Sequence, residues 1–208
     1  MTKLLTTLLI ILSTTLFAQD QVAKDVLDKL SATTKSYKNM TVGFDFIFEN
    51  KSQNIKNVQQ GMIVLKEESF RLTMEEQTII NDGENQWIYL ADMNEVQIME
   101  HDPEEEMMSP NKLFTIYEKG YKYTYVGAEA EKGKRLQIIE LFPEESGEFM
   151  KITLAVDAAK NQLQKITIHD KNGGSYTYLI TSFKSNTDVV PFTFNADDYP
   201  GVEVIDLR

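Results

Sequence analysis

The chain has no cysteine among its 208 residues, and it has only two histidines. The missing cysteine excludes disulfides, thiolate metal sites, cysteine nucleophiles and the cysteine-linked lipid anchor of bacterial membrane proteins. His101 and His169 have no neighbours at metal-ligand spacing, so we interpret both as surface residues and predict no metal site. No serine lies in a nucleophile elbow, and no glycine-rich phosphate loop occurs. These absences argue against an enzyme, and we expect no cofactor.

Positive charge is also scarce: 21 lysines and arginines face 32 acidic residues, which gives a formal net charge of −11. Because phosphates would be repelled, we expect no nucleic-acid partner. The acidic run Asp102–Glu106 lacks the alternation and the glycine of a calcium loop, and we interpret it as a solvated loop. The charge is best explained by solubility.

Long apolar runs are absent beyond the first eighteen residues. There, Lys3 precedes an apolar stretch that ends near Ala18, a pattern typical of a secretory signal peptide and too short for a membrane span. Leu16 is larger than is usual at a cleavage site, so the cut is expected within a residue or two of Ala18. A retained buried helix is the alternative. Residues 19–208 are predicted to form a single exported, soluble domain, with no linker and no repeat.

The segment after the predicted signal peptide has the periodicity of an amphipathic helix. Asp20 suits an N-cap, and the apolar residues after it fall near one face of a helix, opposite the charged ones. The apolar set is Val22, Val26, Leu27 and Leu30. A second, short amphipathic helix is predicted from Ser109 and Pro110 to a stop at Gly120.

From Met40 onward the period changes to two, which indicates half-buried antiparallel strands. The alternating sets are Val42, Phe44, Phe46 and Phe48; Met150, Ile152, Leu154 and Val156; Ile166 and Ile168; and Tyr176, Tyr178 and Ile180. Turn signals occur at Asp82-Gly83, from Asp157 to Asn161, and from Asn172 to Ser175. One curved antiparallel sheet or barrel is predicted.

The order of these strands resembles a known family. The succession is Gly61–Lys66, Ser69–Leu72, Ile79-Ile80, the Asp82-Gly83 turn, Trp87–Tyr89 and Val96–Ile98, with Phe192–Phe194 and Pro200–Ile205 near the end. It is similar to the LolA family of periplasmic outer-membrane lipoprotein carriers. The resemblance implies a mainly β fold with α, an incomplete (half-open) antiparallel β-barrel with a helical lid over an apolar cavity.

The resemblance also suggests which residues line that cavity. The acyl-chain binding wall is assigned to Phe44, Phe46, Phe48, Ile63, Leu65, Leu72, Trp87 and Tyr89, and the lid to Leu27, Leu30, Leu113, Phe114 and Tyr117. A closed core demands the same residue types, so composition leaves the two interpretations open. The strand Trp87–Leu90 is apolar on both sides, and the sequence leaves open which side points inward.

One position departs from the family. Members commonly carry an arginine just after the strand that corresponds to Ile63–Lys66, where it bonds the lid, but this chain reads Lys66-Glu67-Glu68. Arg71 and Lys66 are the candidates for that gating role.

The function implied by the resemblance is a monomeric periplasmic carrier of acylated lipoproteins. Its implied partners are an inner-membrane ABC transporter that releases lipoproteins and an acceptor at the outer membrane; the sequence leaves open whether a dedicated receptor exists there. Two alternatives remain open: a sensor domain of the same architecture that binds lipid or lipoprotein, and an enzyme acting on a lipid or glycan.

Overall fold

The fold comes from a computed structural model, and the structure describes residues 21–101 and 114–208. The predicted signal peptide, the Asp20 cap, the acidic loop and the first part of the inserted helix lie outside these residues. Of that helix, the described part contains the 3₁₀ turn Ile116–Glu118. Among the described residues, no helix is long and apolar enough to cross a membrane.

The described chain contains one α-helix, α1, at residues 21–35, and twelve β-strands. The strands are β1 Met40–Asn50, β2 Ile55–Lys66, β3 Ser69–Met74, β4 Gln77–Asn81, β5 Asn85–Leu90, β6 Glu95–Glu100, β7 Tyr121–Glu131, β8 Lys134–Pro143, β9 Phe149–Asp157, β10 Gln162–Asp170, β11 Gly174–Ser185 and β12 Glu203–Asp206. All the strand segments predicted from alternation are confirmed, whereas β7 and β8 were not predicted.

The strands form a single open sheet. Its order is β12-β6-β5-β4-β3-β2-β1-β11-β10-β9-β8-β7, so β12 and β7 are the two edges. Hairpin neighbours pair in antiparallel fashion, whereas β12 adds to β6 in parallel. The predicted mainly β class with an open antiparallel sheet is therefore confirmed.

The hairpin between β4 and β5 shows why the turn residues were informative. Gly83 has a φ of +100°, a conformation that costs glycine little. The Asn81 side-chain oxygen accepts a hydrogen bond from the Gly83 amide at 2.7 Å, and Asp82 Oδ1 accepts from the amides of Glu84 and Asn85 at 2.9 and 2.7 Å. Local side-chain bonds thus satisfy the turn backbone and fix the register of the two strands.

Two compact units are present. The first combines the described part of Met1–Thr34 with Tyr117–Tyr176, and so contains α1 and β7–β10. Its strands bury one face almost completely, through Ile139, Leu141, Ile152, Leu154, Ile166 and Ile168. These side chains share a face because the register pairs Ile139 with Leu154 and Leu154 with Ile166. They form the core of this unit.

Helix α1 buries Ala23, Leu27 and Leu30 in the same unit. The spacing of four and three residues places them on one helical stripe. The prediction for Val22 is wrong: it is 41% exposed, because it falls beside this stripe, and Ala23 occupies the buried position instead. Met150 is likewise exposed, because the pairing shifts from His169–Lys151 to Asp170–Phe149 and skips it.

The second unit combines the described part of Lys35–Ile116 with Thr177–Arg208. It contains β1–β6, most of β11, and β12. Between β11 and β12 the chain has little regular structure apart from the 3₁₀ turn Ala196–Asp198, which Asn195 caps through its side chain. This connection, residues 186–202, is called the C-terminal strap below.

Candidate functional site

The strand register assigns every residue of the second unit's sheet to one of two faces. Val42 pairs with Ile63, Ile63 with Leu72, Leu72 with Ile79 and Ile79 with Ile88. Directly paired residues point to the same side of a sheet. We call the side that carries this row the Phe44 face and the opposite side the Tyr89 face.

Six of the eight predicted acyl-binding residues lie together on the Phe44 face. They are Phe44, Phe46, Phe48, Ile63, Leu65 and Leu72. Phe44, Ile63 and Leu65 are buried, whereas the other three are partly exposed. The sequence alternation therefore brings these six side chains to one face of the sheet.

Aromatic rings make close contacts on this face. The ring centroid of Tyr178 lies 5.7 Å from that of Phe44 and 5.2 Å from that of Phe46. Phe44 also covers Gly61, where an added Cβ atom would fall 2.4 Å from the Phe44 ring. Burial raises the pKa of the Tyr178 hydroxyl.

Trp87 and Tyr89 do not lie on the Phe44 face. Trp87 pairs with Ile80, and Ile80 with Arg71, so both residues point to the Tyr89 face. The Tyr89 ring lies 4.4 Å from the ring of Tyr199, and Phe194 stacks on Tyr199 at 4.8 Å. The strap covers this side of β5, which is why the strand is apolar on both faces.

The two gating candidates lie at different places on the Tyr89 face. Arg71 donates hydrogen bonds from Nη2 to the carbonyl oxygens of Pro191 and Thr193, at 2.9 and 3.1 Å. Lys66 is exposed at the end of β2. In this structure Arg71 holds the strap, and a gating role for either residue stays a prediction.

The predicted lid residues are mostly buried. Leu27 and Leu30 lie on α1, and Tyr117 follows in the 3₁₀ turn of the same unit, while Phe114 is buried in the second unit. Leu113 lies outside the described residues. Ser31 on α1 donates a hydrogen bond to Glu118 at 2.7 Å, so the helix and the residues after Ile116 are in contact.

The Tyr117 hydroxyl is enclosed at that contact. Burial raises its pKa strongly, and the charge of Glu118 adds to the effect, whereas Ser31 and Thr34 nearby lower it. Neither hydroxyl makes a hydrogen bond of good geometry with Tyr117, whose oxygen has no partner among the described residues. The phenol is therefore neutral, and it acts as an apolar filler.

A buried polar pair was not predicted. Asn81 and Gln86 face each other across β4 and β5 on the Phe44 face, and they are 0% and 8% exposed. Asn81 Nδ2 and Gln86 Oε1 have no hydrogen-bond partner in the part of the chain that the structure describes. The signal available in the sequence was their position at the turn end of two strands, next to the apolar residues Ile79-Ile80 and Trp87–Leu90.

His169 is half-buried rather than a free surface residue. It lies on β10 with Nε2 3.4 Å from Thr153 Oγ1, near an ion pair of Lys151 and Glu140 at 2.5 Å. Burial and the Lys151 charge lower its pKa, and Glu140 opposes them. Within the described ranges, no three acidic or histidine side chains come together as a metal site.

Comparison with known proteins gives a consistent result. The family model described as outer membrane lipoprotein carrier protein LolA matches residues 35–197. Two proteins of Legionella pneumophila, strains Corby and Lens, are both named outer-membrane lipoprotein carrier protein; each is 26% identical over 210 residues, covering 99% of either chain. A crystal structure of an uncharacterized conserved protein from Thermus thermophilus aligns with a TM-score of 0.58 at 11% identity, covering 89% of this chain and 99% of that one.

Proposed function

Because the chain belongs to the LolA family of outer membrane lipoprotein carriers, we propose that it shelters the acyl chains of lipoproteins and moves them through the periplasm from the inner to the outer membrane. The family is one of binding proteins without catalytic activity, and its fold class is the incomplete barrel with a helical lid. The transporter that hands over the cargo, and the receptor that takes it, are part of the proposal.

The observation that carries the proposal is the Phe44 face. Six apolar side chains that resemblance assigned to acyl binding are brought onto one surface by the register. An apolar surface of this kind can make van der Waals contacts with an acyl chain and remove it from water. Exposing an acyl chain to water costs about 0.8 kcal/mol per methylene, so several long chains together cost tens of kcal/mol. Spontaneous transit of a lipoprotein through an aqueous compartment is thus negligible, and a shelter is needed.

Burial of part of this surface supports reversible binding. Val42, Phe44 and Ile63 are at most 6% exposed. A cavity that collapses on itself regains part of its apolar contacts when cargo leaves, which keeps net affinity moderate and release feasible. Export is supported by the signal-peptide pattern of residues 1–18.

In-cell photo-crosslinking tests the proposal. A photoreactive phenylalanine analogue at Phe46 is expected to trap acylated lipoproteins, because Phe46 lies on the Phe44 face. The matched control is Asp45, the neighbouring residue that points to the opposite side, where no lipoprotein adduct is expected.

Absence of any lipoprotein adduct at Phe46 in a folded, exported protein would contradict the carrier proposal. Adducts at Phe46 without delivery of lipoprotein to outer-membrane vesicles would instead favour a sensor domain that binds and does not transfer. Delivery is measured by sedimenting the vesicles and counting the radiolabelled lipoprotein that accompanies them.

A further inference from the structure

The buried pair Asn81 and Gln86 is a polar feature of the Phe44 face that the proposed function leaves unexplained. One row of directly paired residues crosses strands β2 to β6 and consists of Leu65, Phe70, Asn81, Gln86 and Met99. The next row along the strands is apolar from Val42 to Ile88. The pair therefore lies at one end of the apolar surface, beside the turn between β4 and β5.

The bonds that these two side chains already make fix which atoms remain free. Asn81 Oδ1 accepts from the Gly83 amide at 2.7 Å, so its amide nitrogen must point away from the turn. Gln86 Nε2 approaches the sulfur of Met99 at 3.9 Å. Because a thioether sulfur can only accept, the nitrogen faces Met99, and the carbonyl oxygen is left over. One donor and one acceptor thus stay unpaired within the described residues.

Unpaired polar atoms at this depth are costly, because they lose their hydration and gain nothing in exchange. Cross-strand neighbours have Cβ atoms about 5 Å apart, so one small ligand group can reach both side chains. The ligand group that satisfies both must present one acceptor and one donor. A secondary amide does so, whereas an ester has no donor and leaves Gln86 unpaired.

We propose that Asn81 and Gln86 form a subsite for the secondary amide that links an N-terminal acyl chain to its cargo, with Asn81 Nδ2 donating to the amide carbonyl and Gln86 Oε1 accepting from the amide N–H. This inference rests on the proposed function and adds a selectivity to it. The acyl chain then continues along the apolar row that contains Ile63 and Leu72.

Two fluorescent probes that differ in one atom test the subsite. One carries a pyrene-labelled long acyl chain on ethanolamine through an amide, and the other carries the same chain on ethylene glycol through an ester. Wild-type protein is expected to bind the amide about tenfold more tightly, the effect of one hydrogen bond to an otherwise unpaired buried group. Equal affinity for the two probes would overturn the inference and leave the carrier proposal standing. Failure of both probes to bind would overturn the carrier proposal itself.

Gln86→Met removes the acceptor and keeps the side-chain length. We expect it to lower the affinity for the amide to that for the ester, and to raise the Tm, because a buried unpaired oxygen is gone. A lower Tm would mean that the chain itself pairs this oxygen, which contradicts the subsite. Gln60→Met, an exposed position on the Tyr89 face, is the matched control and should keep the wild-type preference.

The source of the amide is resolved by competition against the bound amide probe. Displacement by an N-palmitoylated peptide supports an acylated polypeptide as the ligand. If N-palmitoyl ethanolamide displaces the probe and the N-palmitoylated peptide does not, the subsite binds a free lipid amide, and the proposal of a polypeptide cargo is overturned.

Discussion

Gly61 illustrates how one missing side chain shapes the Phe44 face. A methyl group at this position would meet the Phe44 ring at 2.4 Å, and Phe44 is buried against Tyr178. We expect Gly61→Ala to reduce the free energy of unfolding by about 1–3 kcal/mol, because the ring must shift in a packed environment. Urea denaturation followed by circular dichroism measures the loss. Gly147→Ala, where nothing lies within 4 Å of the added methyl, should change the stability by less than about 0.5 kcal/mol.

His169 provides a prediction about pH at the same scale. Burial and Lys151 hold its pKa in the folded protein below the ordinary value of 6.5. The unfolded chain therefore takes up a proton first as the pH falls, so the stability that the neutral imidazole contributes is present above pH 6.5 and is lost below it. In thermal melts, His169→Gln is expected to flatten the fall in Tm between about pH 7.5 and about pH 5. An unchanged slope in the variant would assign the acid sensitivity to other groups.

The C-terminal strap depends on Arg71. The two hydrogen bonds to Pro191 and Thr193 come from a charged donor, and such bonds contribute about 1.5–3 kcal/mol. Arg71→Met keeps the apolar stem and removes both bonds, so we expect the amides of the strap to exchange with deuterium at least tenfold faster. Lys66→Met, at an exposed position on the same face, should leave exchange of the strap unchanged. Unaltered exchange in Arg71→Met would show that the other contacts of the strap hold it without Arg71, among them the rings of Tyr199 and Tyr89 and the hydrogen bond from Asn94 to the Pro200 carbonyl.

Strands were predictable from sequence where one face is covered and the other is not. The alternation of Val42, Phe44 and Phe46 predicts that these residues share one face of β1, as they do. The glycine at position 83 predicts the hairpin turn. In β5 the strap covers the second face, alternation disappears, and the side to which Trp87 points depends on a segment about a hundred residues away. β7 was overlooked although Tyr121, Tyr123 and Tyr125 alternate.

The polar pair of Asn81 and Gln86 and the strap bonds of Arg71 share a second limitation. Each depends on which residues are paired across neighbouring segments. A single sequence does not show how segments that are far apart in the chain are paired. Asn81 also has a local role as the acceptor for the Gly83 amide, which conceals that its other atom is unpaired. The six apolar residues that share the Phe44 face could be anticipated from residue type and alternation, whereas the buried polar pair at the end of this face could not.

At the scale of the whole molecule, the sequence predicts a single domain from residue 19 to 208, and the structure divides into two compact units. Strand β11 runs from one unit into the other, ending the first at Tyr176 and entering the second at Thr177. Because a strand cannot lose its pairing in one half without affecting the other, we expect one cooperative unfolding transition.

Trp87 makes this prediction testable, because it is the only tryptophan and reports the second unit. Leu154→Ala removes a fully buried side chain from the first unit and is expected to cost about 2–5 kcal/mol. If the protein unfolds in one cooperative transition, Leu154→Ala lowers the urea midpoint measured by Trp87 fluorescence and the midpoint measured by circular dichroism by the same amount. Ile80→Ala, beside Trp87 in the register, must lower the fluorescence midpoint in either case and validates the probe. A fluorescence midpoint that stays at the wild-type value in Leu154→Ala would show two units that unfold separately, and the single-domain prediction would be wrong.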